Sequence, residues 1–367
     1  MSAVFDILKN AYAGKRVLIT GHTGFKGSWL ALWLKELGAD VTGYALEPKT
    51  ARDNFVVTRL AGRITDLRGD VRDFVSLRGA FETCKPDFVF HLAAQALVRE
   101  SYEHPKETYD VNVGGTVNVF ECCRVSHDVR TIINVTSDKC YENREWLWGY
   151  RENDPIGGFD PYSSSKGCSE LVTAAYRNSF FNPERPQEHG KALSSVRAGN
   201  VIGGGDWAKD RILPDCIRAL EAGESIKVRS PGAVRPWQFV LEPLGGYLLL
   251  GARTAAAPTK YAGAWNFGPD SASVVTVRDV AELVVTHWGS GAWEDVSQPG
   301  APHEAGLLSL DISKARFQLG WRPALTLREA IGYSVAWYRN YADTSDMYDF
   351  CRKQIQDYME AMAVYGT

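Results

Sequence analysis

The sequence predicts an α/β fold built on a doubly wound parallel sheet, with a smaller mixed α/β region toward the C-terminus. Short apolar runs alternate with longer amphipathic stretches through the first half of the chain, a pattern typical of alternating strands and helices. A glycine-rich segment, Gly21–Gly27, joins the first apolar run to the first amphipathic stretch. Of the 367 residues, 45% are apolar and 23% charged, which is ordinary for a globular protein.

The predicted elements alternate regularly along the chain. The strands are predicted at Arg16–Thr20, Asp40–Ala45, Ile64–Leu67, Asp87–Leu92, Thr131–Thr136 and Ala192–Arg197. The helices between them are predicted at Lys26–Leu37, Asp73–Cys84, Lys106–Cys123 and Tyr162–Phe181. Because a crossover between parallel strands is nearly always right-handed, this order predicts a sheet with helices on both faces.

The domain organisation follows from a change of pattern near residue 200. Residues 1–199 are predicted to form the doubly wound domain. Beyond them, three consecutive glycines at 203–205 and scattered prolines indicate loops and short elements. We therefore expect residues 200–354 to be mainly a substrate-covering region with some segments returning to the main sheet, and residues 355–367 to be a tail.

Composition excludes several classes of protein. The formal net charge of −3, from 41 basic and 44 acidic residues, offers no basic field for nucleic acid. No apolar run reaches the roughly 18 residues that span a bilayer, and the N-terminus lacks a signal-peptide pattern. The seven cysteines include no CxxC pair, which favours reduced thiols over disulfides or a metal site. We therefore expect a cytoplasmic enzyme without a membrane partner.

The strongest local signal is the glycine turn between the first strand and the first helix. The free backbone amides and the dipole at a helix N-terminus attract phosphate, so this arrangement predicts a dinucleotide site. Gly21 permits the tight turn, Gly24 lets a phosphate approach the backbone, and Gly27 allows close helix–strand packing. A purely structural turn is the alternative, and the strand–turn–helix context argues against it. The residues predicted to bind here are Gly21, Thr23, Gly24, Phe25, Lys26 and Gly27.

A second signal is the pair Tyr162 and Lys166, four residues apart on a predicted helix. Such a pair lies on one helix face, about 5–6 Å apart at Cβ. A phenol of pKa about 10 is a weak base at neutral pH, and neighbouring positive charge favours its ionised form. Tyr162 would then accept a proton from a substrate hydroxyl. A buried structural pair is the alternative.

The GxxGxxG spacing and the Tyr-xxx-Lys pair together resemble the extended short-chain dehydrogenase/reductase family. This resemblance implies a Rossmann-type domain that binds NAD, with Lys166 also bonding the nicotinamide ribose. It implies further cofactor contacts at Asp70 and Val71 on the adenine side, and at Leu92, Ala93, Ala94, Gln95 and Thr136 near the ribose and nicotinamide. His91, in the same stretch, is interpreted as a core histidine.

One position departs from the family pattern. NAD-specific members usually end the second strand with an acid that bonds the adenine ribose, and here that position is Ala45. Glu47 is the nearest carboxylate, and Lys49 and Arg52 follow without forming a basic cluster at that point. The resemblance still favours NAD as the cofactor, held loosely.

Two segments are similar to the CDP-glucose 4,6-dehydratase branch of this family: Thr136–Asn143 and Glu152–Lys166. The resemblance implies that Ser137 bonds the reacting oxygen and that the pair Asp138–Lys139 supplies acid and base. Neighbours on a continuing strand point to opposite faces, so this hypothesis requires a turn around Ser137–Cys140. An exposed Asp-Lys turn without a catalytic role is the alternative. The predicted catalytic residues are Ser137, Asp138, Lys139, Tyr162 and Lys166.

The resemblance also implies contacts to a sugar nucleotide. The candidates are Asn200, Arg211, Arg235 and His303. Arg235 suits a pyrophosphate, because a guanidinium matches phosphate oxygens bidentately. For Arg211 a surface charge, and for His303 a solvent-facing turn, is as good an interpretation.

The implied reaction is a lyase reaction that converts CDP-D-glucose to CDP-4-keto-6-deoxy-D-glucose and water, in deoxysugar and polysaccharide precursor biosynthesis. Oxidation at C4 acidifies the C5 hydrogen, Lys139 removes it, Asp138 protonates the departing 6-hydroxyl, and the hydride returns to C6. A nucleotide-sugar 4-epimerase and a non-catalytic dinucleotide-binding regulatory subunit remain the alternatives. In the family the corresponding helices pair across a twofold axis, so the resemblance implies a homodimer, with a tetramer left open.

Overall fold

The protein is described here from a computed structural model, which covers residues 3–270, 274–297, 307–343 and 346–365. The strands are β1 (Arg16–Thr20), β2 (Asp40–Ala45), β3 (Thr65–Arg68), β4 (Phe88–His91), β5 (Thr131–Val135), β6 (Ala192–Arg197), β7 (Val201–Ile202), β8 (Ile226–Val228), β9 (Val234–Pro236), β10 (Gln238–Phe239), β11 (Ala264–Asn266), β12 (Val274–Thr276) and β13 (Trp293–Asp295). Within these ranges, a seven-stranded sheet has the order β11-β6-β5-β4-β1-β2-β3. All of its neighbouring strands pair in parallel, which confirms the predicted doubly wound sheet.

Helices lie on both faces of this sheet and in the C-terminal half. They are α1 (Ala3–Tyr12), α2 (Phe25–Glu36), α3 (Asn54–Val57), α4 (Phe74–Cys84), α5 (Val98–Glu103), α6 (Pro105–Tyr109), α7 (Gly115–Val125), α8 (Pro161–Ser179), α9 (Pro186–His189), α10 (Ile212–Glu221), α11 (Leu241–Ala256), α12 (Pro258–Tyr261), α13 (Val277–Trp288), α14 (Leu327–Asp343) and α15 (Tyr348–Tyr365). No helix of the described part is long and apolar enough to cross a membrane.

The core has one layer on each face of the sheet. On the first face α2 is buried nearly all round between the sheet, α3, α11 and α15, and Trp33 meets Tyr358 edge to face at 5.7 Å. On the second face α4 and α7 pack on the sheet through Leu77, Val119 and Phe120. A helix that is apolar on every side must be covered on every side. The glycine turn that begins α2 is therefore carried on a firmly packed helix.

The predicted helix Lys106–Cys123 is interrupted, and the prediction of one regular helix there is wrong. A π-helical turn, Asp110–Gly114, separates α6 from α7. It turns Asn112 inward, where its side chain accepts from the Gln95 amide at 2.9 Å and donates to the Ser165 hydroxyl at 2.8 Å. Such turns are frequent at functional sites. This one ties the loop after β4 to helix α8.

Segments beyond residue 199 pair with the main sheet and pack against helices of the first 199 residues. Strand β11 pairs with β6 at the edge of the main sheet. In α15 the buried Tyr358 hydroxyl donates to Glu242 at 2.7 Å, and α15 packs against α1 and α2. The division of the chain at residues 199 and 354 stays a prediction.

Candidate functional site

The glycine turn has the geometry that a pyrophosphate requires. Gly21 has a φ of +78°, and a Cβ there would lie 2.7 Å from the Ala93 nitrogen. A Cβ on Gly27 would collide with the Gly21 carbonyl oxygen, so both glycines are needed for close packing. Gly24 caps α2, has no side chain to accept from the first amides of the helix, and meets only ordinary contact at 3.4 Å. Unpaired amides and open space together fit a phosphate.

The predicted adenine side lies at the end of β3. The Asp70 carboxylate accepts from the Arg72 guanidinium at 2.6 and 2.9 Å and from its amide at 2.8 Å. These hydrogen bonds hold the pKa of Asp70 below its usual value. Val71 is buried against Gly115 of α7. Arg72 was not among the predicted residues, and it competes with any ligand amine for Asp70.

The loop after β4 is fixed to both β1 and the π-helical turn. Leu92 donates its amide to the Thr20 carbonyl at 3.0 Å, and the Ala93 amide reaches the Thr20 hydroxyl at 3.3 Å. The Gln95 side chain donates to the Thr108 hydroxyl of α6 at 3.0 Å. Ala94, which lies between Ala93 and Gln95 in the sequence, is half-buried. These small residues therefore form a firm wall next to Gly21.

His91 is a buried residue of the core. Its Nδ1 is hydrogen-bonded to the Thr20 hydroxyl at 2.7 Å, and its Nε2 lies 3.3 Å from the Thr116 hydroxyl. Burial, with the positive charge of Lys166, lowers the pKa of His91 to about 3. His91 is therefore a buried, hydrogen-bonded core histidine, as the sequence analysis interpreted it.

The required break after β5 is present. The strand ends at Val135, and a 3₁₀ turn over Asp138–Cys140 follows, capped by Ser137. The turn places the Asp138 carboxylate inside the protein, where it accepts from the Ser137 hydroxyl at 2.9 Å. A Cβ on Gly199 would collide with that carboxylate. Gly199 was missed in the sequence and makes the space that Asp138 occupies.

The two members of the Asp-Lys pair have different surroundings. Asp138 is buried, and its charge acts on Tyr162 and Lys26. Lys139 is half-buried, and its backbone amide donates to the Ser137 hydroxyl at 3.2 Å. On a 3₁₀ turn consecutive side chains point in directions about a third of a turn apart. The structure therefore brings Asp138 to Tyr162, whereas the role of Lys139 stays a prediction.

Tyr162 and Lys166 lie side by side on α8 under the end of β5. The Lys166 ammonium donates to the Val135 carbonyl at 3.3 Å, and the Tyr162 amide is held by the Ser101 hydroxyl at 3.2 Å. Burial raises the pKa of Tyr162 to about 12, although a hydrogen bond with Ser137 acts in the opposite direction. Burial therefore dominates among the groups of the chain, and the expectation that Lys166 together with a positive nicotinamide ring favours the phenolate stays a prediction.

The side chains of Ser137, Asp138, Tyr162 and Lys166 form a cluster at the end of β5. Lys26 and Arg211 add two further positive charges to that of Lys166. Burial lowers the pKa of Lys26 to about 8, and the charges of Lys166 and Arg211 act in the same direction. Burial also lowers the pKa of Lys166 to about 8, whereas Glu170 opposes the change. Arg211 is paired with Asp206 at 2.8 Å. Crowded cations with perturbed pKa values next to a helix N-terminus are typical of a site for an anionic ligand.

The remaining predicted binding residues within the described part of the chain belong to different elements. Phe25 and Thr23 belong to the turn, and the Thr23 hydroxyl donates to the Leu46 carbonyl at 3.0 Å. Asn200 has a φ of +48°, and its carbonyl accepts from the Gln238 amide at 3.2 Å. Arg235 lies on β9, where its guanidinium donates to the Val234 carbonyl at 2.9 Å. His303 lies outside the described residues. The binding roles of all these residues stay predictions.

A buried ion pair behind the cluster was not predicted. The Arg197 guanidinium donates to the Glu170 carboxylate at 2.8 Å, and both side chains are almost completely buried. Thr136, predicted as a cofactor contact, donates to Glu170 at 2.5 Å, as does Ser195 at 2.8 Å. The only signal in the sequence was the four-residue spacing from Lys166 to Glu170 on one helix face.

No group of three or more metal-ligating His, Cys, Asp or Glu side chains occurs in the described ranges. The titratable groups that converge in the site are instead a phenol, a carboxylate and two amines, namely Tyr162, Asp138, Lys166 and Lys26. This set can take a proton from an alcohol, give one to a leaving hydroxyl, and hold negative charge.

Comparison with known proteins places this geometry among nucleotide-sugar enzymes. A family model described as GDP-mannose 4,6 dehydratase matches residues 18–183. The chain is 51% identical over 353 residues to the CDP-glucose 4,6-dehydratase of Salmonella typhimurium, covering 96% of this chain and 98% of that protein. It is 25% identical over 328 residues to the UDP-glucose 4-epimerase of Mycolicibacterium smegmatis, covering 89% and 99%.

Solved structures share the fold over most of their length. The UDP-glucose 4-epimerase of Thermus thermophilus in complex with NAD is 26% identical with a TM-score of 0.74, covering 88% of this chain and 99% of that one. A dTDP-glucose 4,6-dehydratase of Streptomyces venezuelae with NAD bound has a TM-score of 0.74 at 24% identity, covering 89% and 97%.

Proposed function

The chain belongs to the nucleotide-sugar 4,6-dehydratase family of extended short-chain dehydrogenases/reductases, and we propose that it converts CDP-D-glucose to CDP-4-keto-6-deoxy-D-glucose and water. The nucleotide is taken from the 51% identity, over nearly the whole chain, to a CDP-glucose 4,6-dehydratase. The observation that carries the reaction type is Asp138, buried on a turn next to Tyr162. A 4-epimerase needs the hydroxyl, phenol and ammonium groups alone, whereas loss of water also needs an acid.

The cofactor is NAD, and the residues around the glycine turn fit it. The amides at the start of α2 would hold its pyrophosphate, the end of β3 its adenine, and the loop after β4 its ribose and nicotinamide. When bound, NAD⁺ would supply the capacity to hold a hydride between its removal from the sugar and its return. The positive ring would also provide the charge that Tyr162 needs in order to ionise.

The residues of this chain carry the proton transfers. Tyr162 takes the proton of the 4-hydroxyl while Ser137 holds that oxygen. The resulting C4 carbonyl acidifies the C5 hydrogen, because the carbanion formed at C5 becomes an enolate. Lys139 removes the C5 proton, and Asp138 gives a proton to the 6-hydroxyl, which leaves as water. Lys166 keeps a positive charge near the phenol and the ribose.

The base assignment is tested by replacing Lys139 with Met. We expect exchange of the C5 hydrogen with deuterated solvent, followed by mass spectrometry, to slow by about a hundredfold, since one general base contributes roughly that much. Dinucleotide affinity should be unchanged. Lys227, exposed on β8, replaced by Met is the matched control. Exchange at the wild-type rate in the Lys139 variant would exclude Lys139 as the base.

The overall assignment is tested with four nucleotide sugars. The purified protein with NAD⁺ is incubated with CDP-, deoxythymidine-, UDP- and GDP-glucose, and products are identified by NMR. We expect a 4-keto-6-deoxy sugar from CDP-glucose, with no net formation of NADH. A 4-epimer as product would instead support the epimerase alternative, and no turnover of any sugar would support a regulatory subunit.

Assembly and location are also part of this proposal. We propose a cytoplasmic homodimer that supplies a deoxysugar precursor, formed through the helices α6, α7 and α8. Exposed apolar side chains on this part of the chain support the proposal: Leu171 is 61% and Phe180 47% exposed.

A further inference from the structure

The end of β2 lacks the acid that usually reads the adenine ribose, and an arginine lies beside it. In parallel dinucleotide-binding sheets, an acid at this point bonds the ribose 2′-hydroxyl, whereas a nearby Arg accommodates a 2′-phosphate. Here β2 ends with Ala45, and its register partner on β3 is Arg68. Paired residues of parallel strands share a face of the sheet. Ala45 therefore presents no carboxylate to Arg68.

The Arg68 guanidinium is brought to the glycine turn by a shared acceptor. Its Nη1 donates to the Leu46 carbonyl at 3.2 Å, and the Thr23 hydroxyl donates to the same oxygen at 3.0 Å. Its Nε lies 3.4 Å from the Glu47 carboxylate. The Arg68 guanidinium thus lies beside the segment that follows β2, between the glycine turn and the Glu47 carboxylate. This is the region where the adenosine ribose is predicted to bind.

Arg68 is held in place from behind. Its Nη2 donates to Asp66 at 2.8 Å, and Asp66 is also bonded at 2.8 Å to the Nε2 atom of buried His22. The guanidinium lies 5.0 Å from the centre of the Phe55 ring. By contrast, the side chain of Glu47 is 76% exposed, so it can leave Arg68 at little cost.

We propose that Arg68 and Glu47 form the adenosine 2′ subsite of this protein and let it bind NADP as well as NAD. With NAD, the Glu47 carboxylate accepts from the 2′-hydroxyl and Arg68 orients it. With NADP, the 2′-phosphate takes the place of Glu47 on the guanidinium, whose planar fork matches phosphate oxygens. This proposal rests on the proposed dinucleotide site and specifies how that site selects between NAD and NADP.

Direct binding measurements test this proposal without relying on turnover. Isothermal titration calorimetry of the purified full-length protein gives Kd values for NAD⁺ and NADP⁺. We expect the two wild-type values to agree within about tenfold. Arg68→Ala should raise Kd for NADP⁺ by about tenfold or more and that for NAD⁺ by less than about threefold. Arg78→Ala, on the exposed face of α4, is the matched control.

Two further variants keep the test decisive if Arg68→Ala fails to fold. Ala45→Asp restores the acid and should weaken NADP⁺ selectively by about tenfold, because like charges repel. Glu47→Gln should weaken NAD⁺ and leave NADP⁺ unchanged. A wild-type Kd for NADP⁺ more than about a hundredfold above that for NAD⁺, or equal losses for both in the Arg68 variant, would overturn the proposal. Failure of the wild type to bind either dinucleotide would overturn the cofactor site itself.

Discussion

Replacement of Tyr162 by Phe is expected to lower kcat for the dehydration by about a thousandfold, within the range of roughly 10² to 10⁴ that a general acid–base group contributes. The phenol is the group of the cluster that can take the 4-hydroxyl proton, and burial raises its pKa to about 12. In the proposed mechanism the positively charged nicotinamide ring would help the proton transfer. Phenylalanine lacks the phenol oxygen but keeps the aromatic ring of Tyr162, so KM and dinucleotide affinity should change little.

A matched variant exists on the same helix. Tyr176 of α8 donates its hydroxyl to Glu121 at 2.7 Å, and Tyr176→Phe removes that hydroxyl without reaching the cluster. We expect wild-type kcat in this control. Steady-state kinetics with CDP-glucose measures both. If Tyr162→Phe keeps more than about a tenth of the wild-type kcat, the phenol is not the essential base.

Replacement of Glu170 by Ala is expected to lower the free energy of unfolding by about 3–5 kcal/mol, because it leaves the Arg197 charge buried without its partner. Ser195 would lose its acceptor in the same step, and Thr136 would keep only the Val196 carbonyl. Urea denaturation at pH 7 measures the loss. Glu82→Ala is the control, since Glu82 makes an exposed pair with Arg78 and should cost less than about 1 kcal/mol.

The same pair gives a pH dependence with a definite sign. Burial acts to raise the pKa of Glu170, but the charge and hydrogen bonds of Arg197 outweigh it and hold that pKa below its usual value. A lowered pKa contributes stability that is present above the unfolded value, near pH 4.3, and is lost as pH falls. We expect this acid-dependent loss to disappear in Glu170→Gln. An unchanged acid unfolding profile would contradict the assigned direction.

The pair also affects the pKa of the Lys166 amine. Glu170 opposes the burial that lowers the pKa of Lys166, so its removal should lower that pKa further below about 8. An NMR titration of the Lys166 amine should show this lower pKa. A loss of folding stability alone would not change that pKa. Glu170→Asp, which keeps the charge, should restore most of the wild-type value.

Local signals in the sequence predicted the parts of the fold that depend on local chemistry. The bounds of β1, β2 and β6 were predicted without error, since apolar runs with polar flanks are read directly from the sequence. The second predicted helix was expected to start at Asp73, and Asp73 is the N-cap residue of α4. Its carboxylate accepts from the Val75 and Ser76 amides. The turn after Ser137 was required by chemistry and is present.

The sequence did not reveal contacts between distant segments. Glu170 and Arg197 are 27 residues apart, and Asn112 of the π-helical turn Asp110–Gly114 bonds two other segments. Arg68 becomes noticeable only through its register with Ala45. Propensity and periodicity do not encode such pairs, which depend on which strands and helices become neighbours. The raised pKa of Tyr162 likewise depends on burial that the sequence leaves unspecified.

The central claim is that one active site moves a hydride from C4 to C6 of a single glucose unit while water leaves. CDP-D-glucose carrying deuterium at C4 tests it most directly, with the product analysed by NMR and mass spectrometry. We predict that the deuterium is recovered at C6 of the 4-keto-6-deoxy sugar, within the molecule that carried it. Deuterium retained at C4 of an epimer, or released with reduced dinucleotide, would contradict the account.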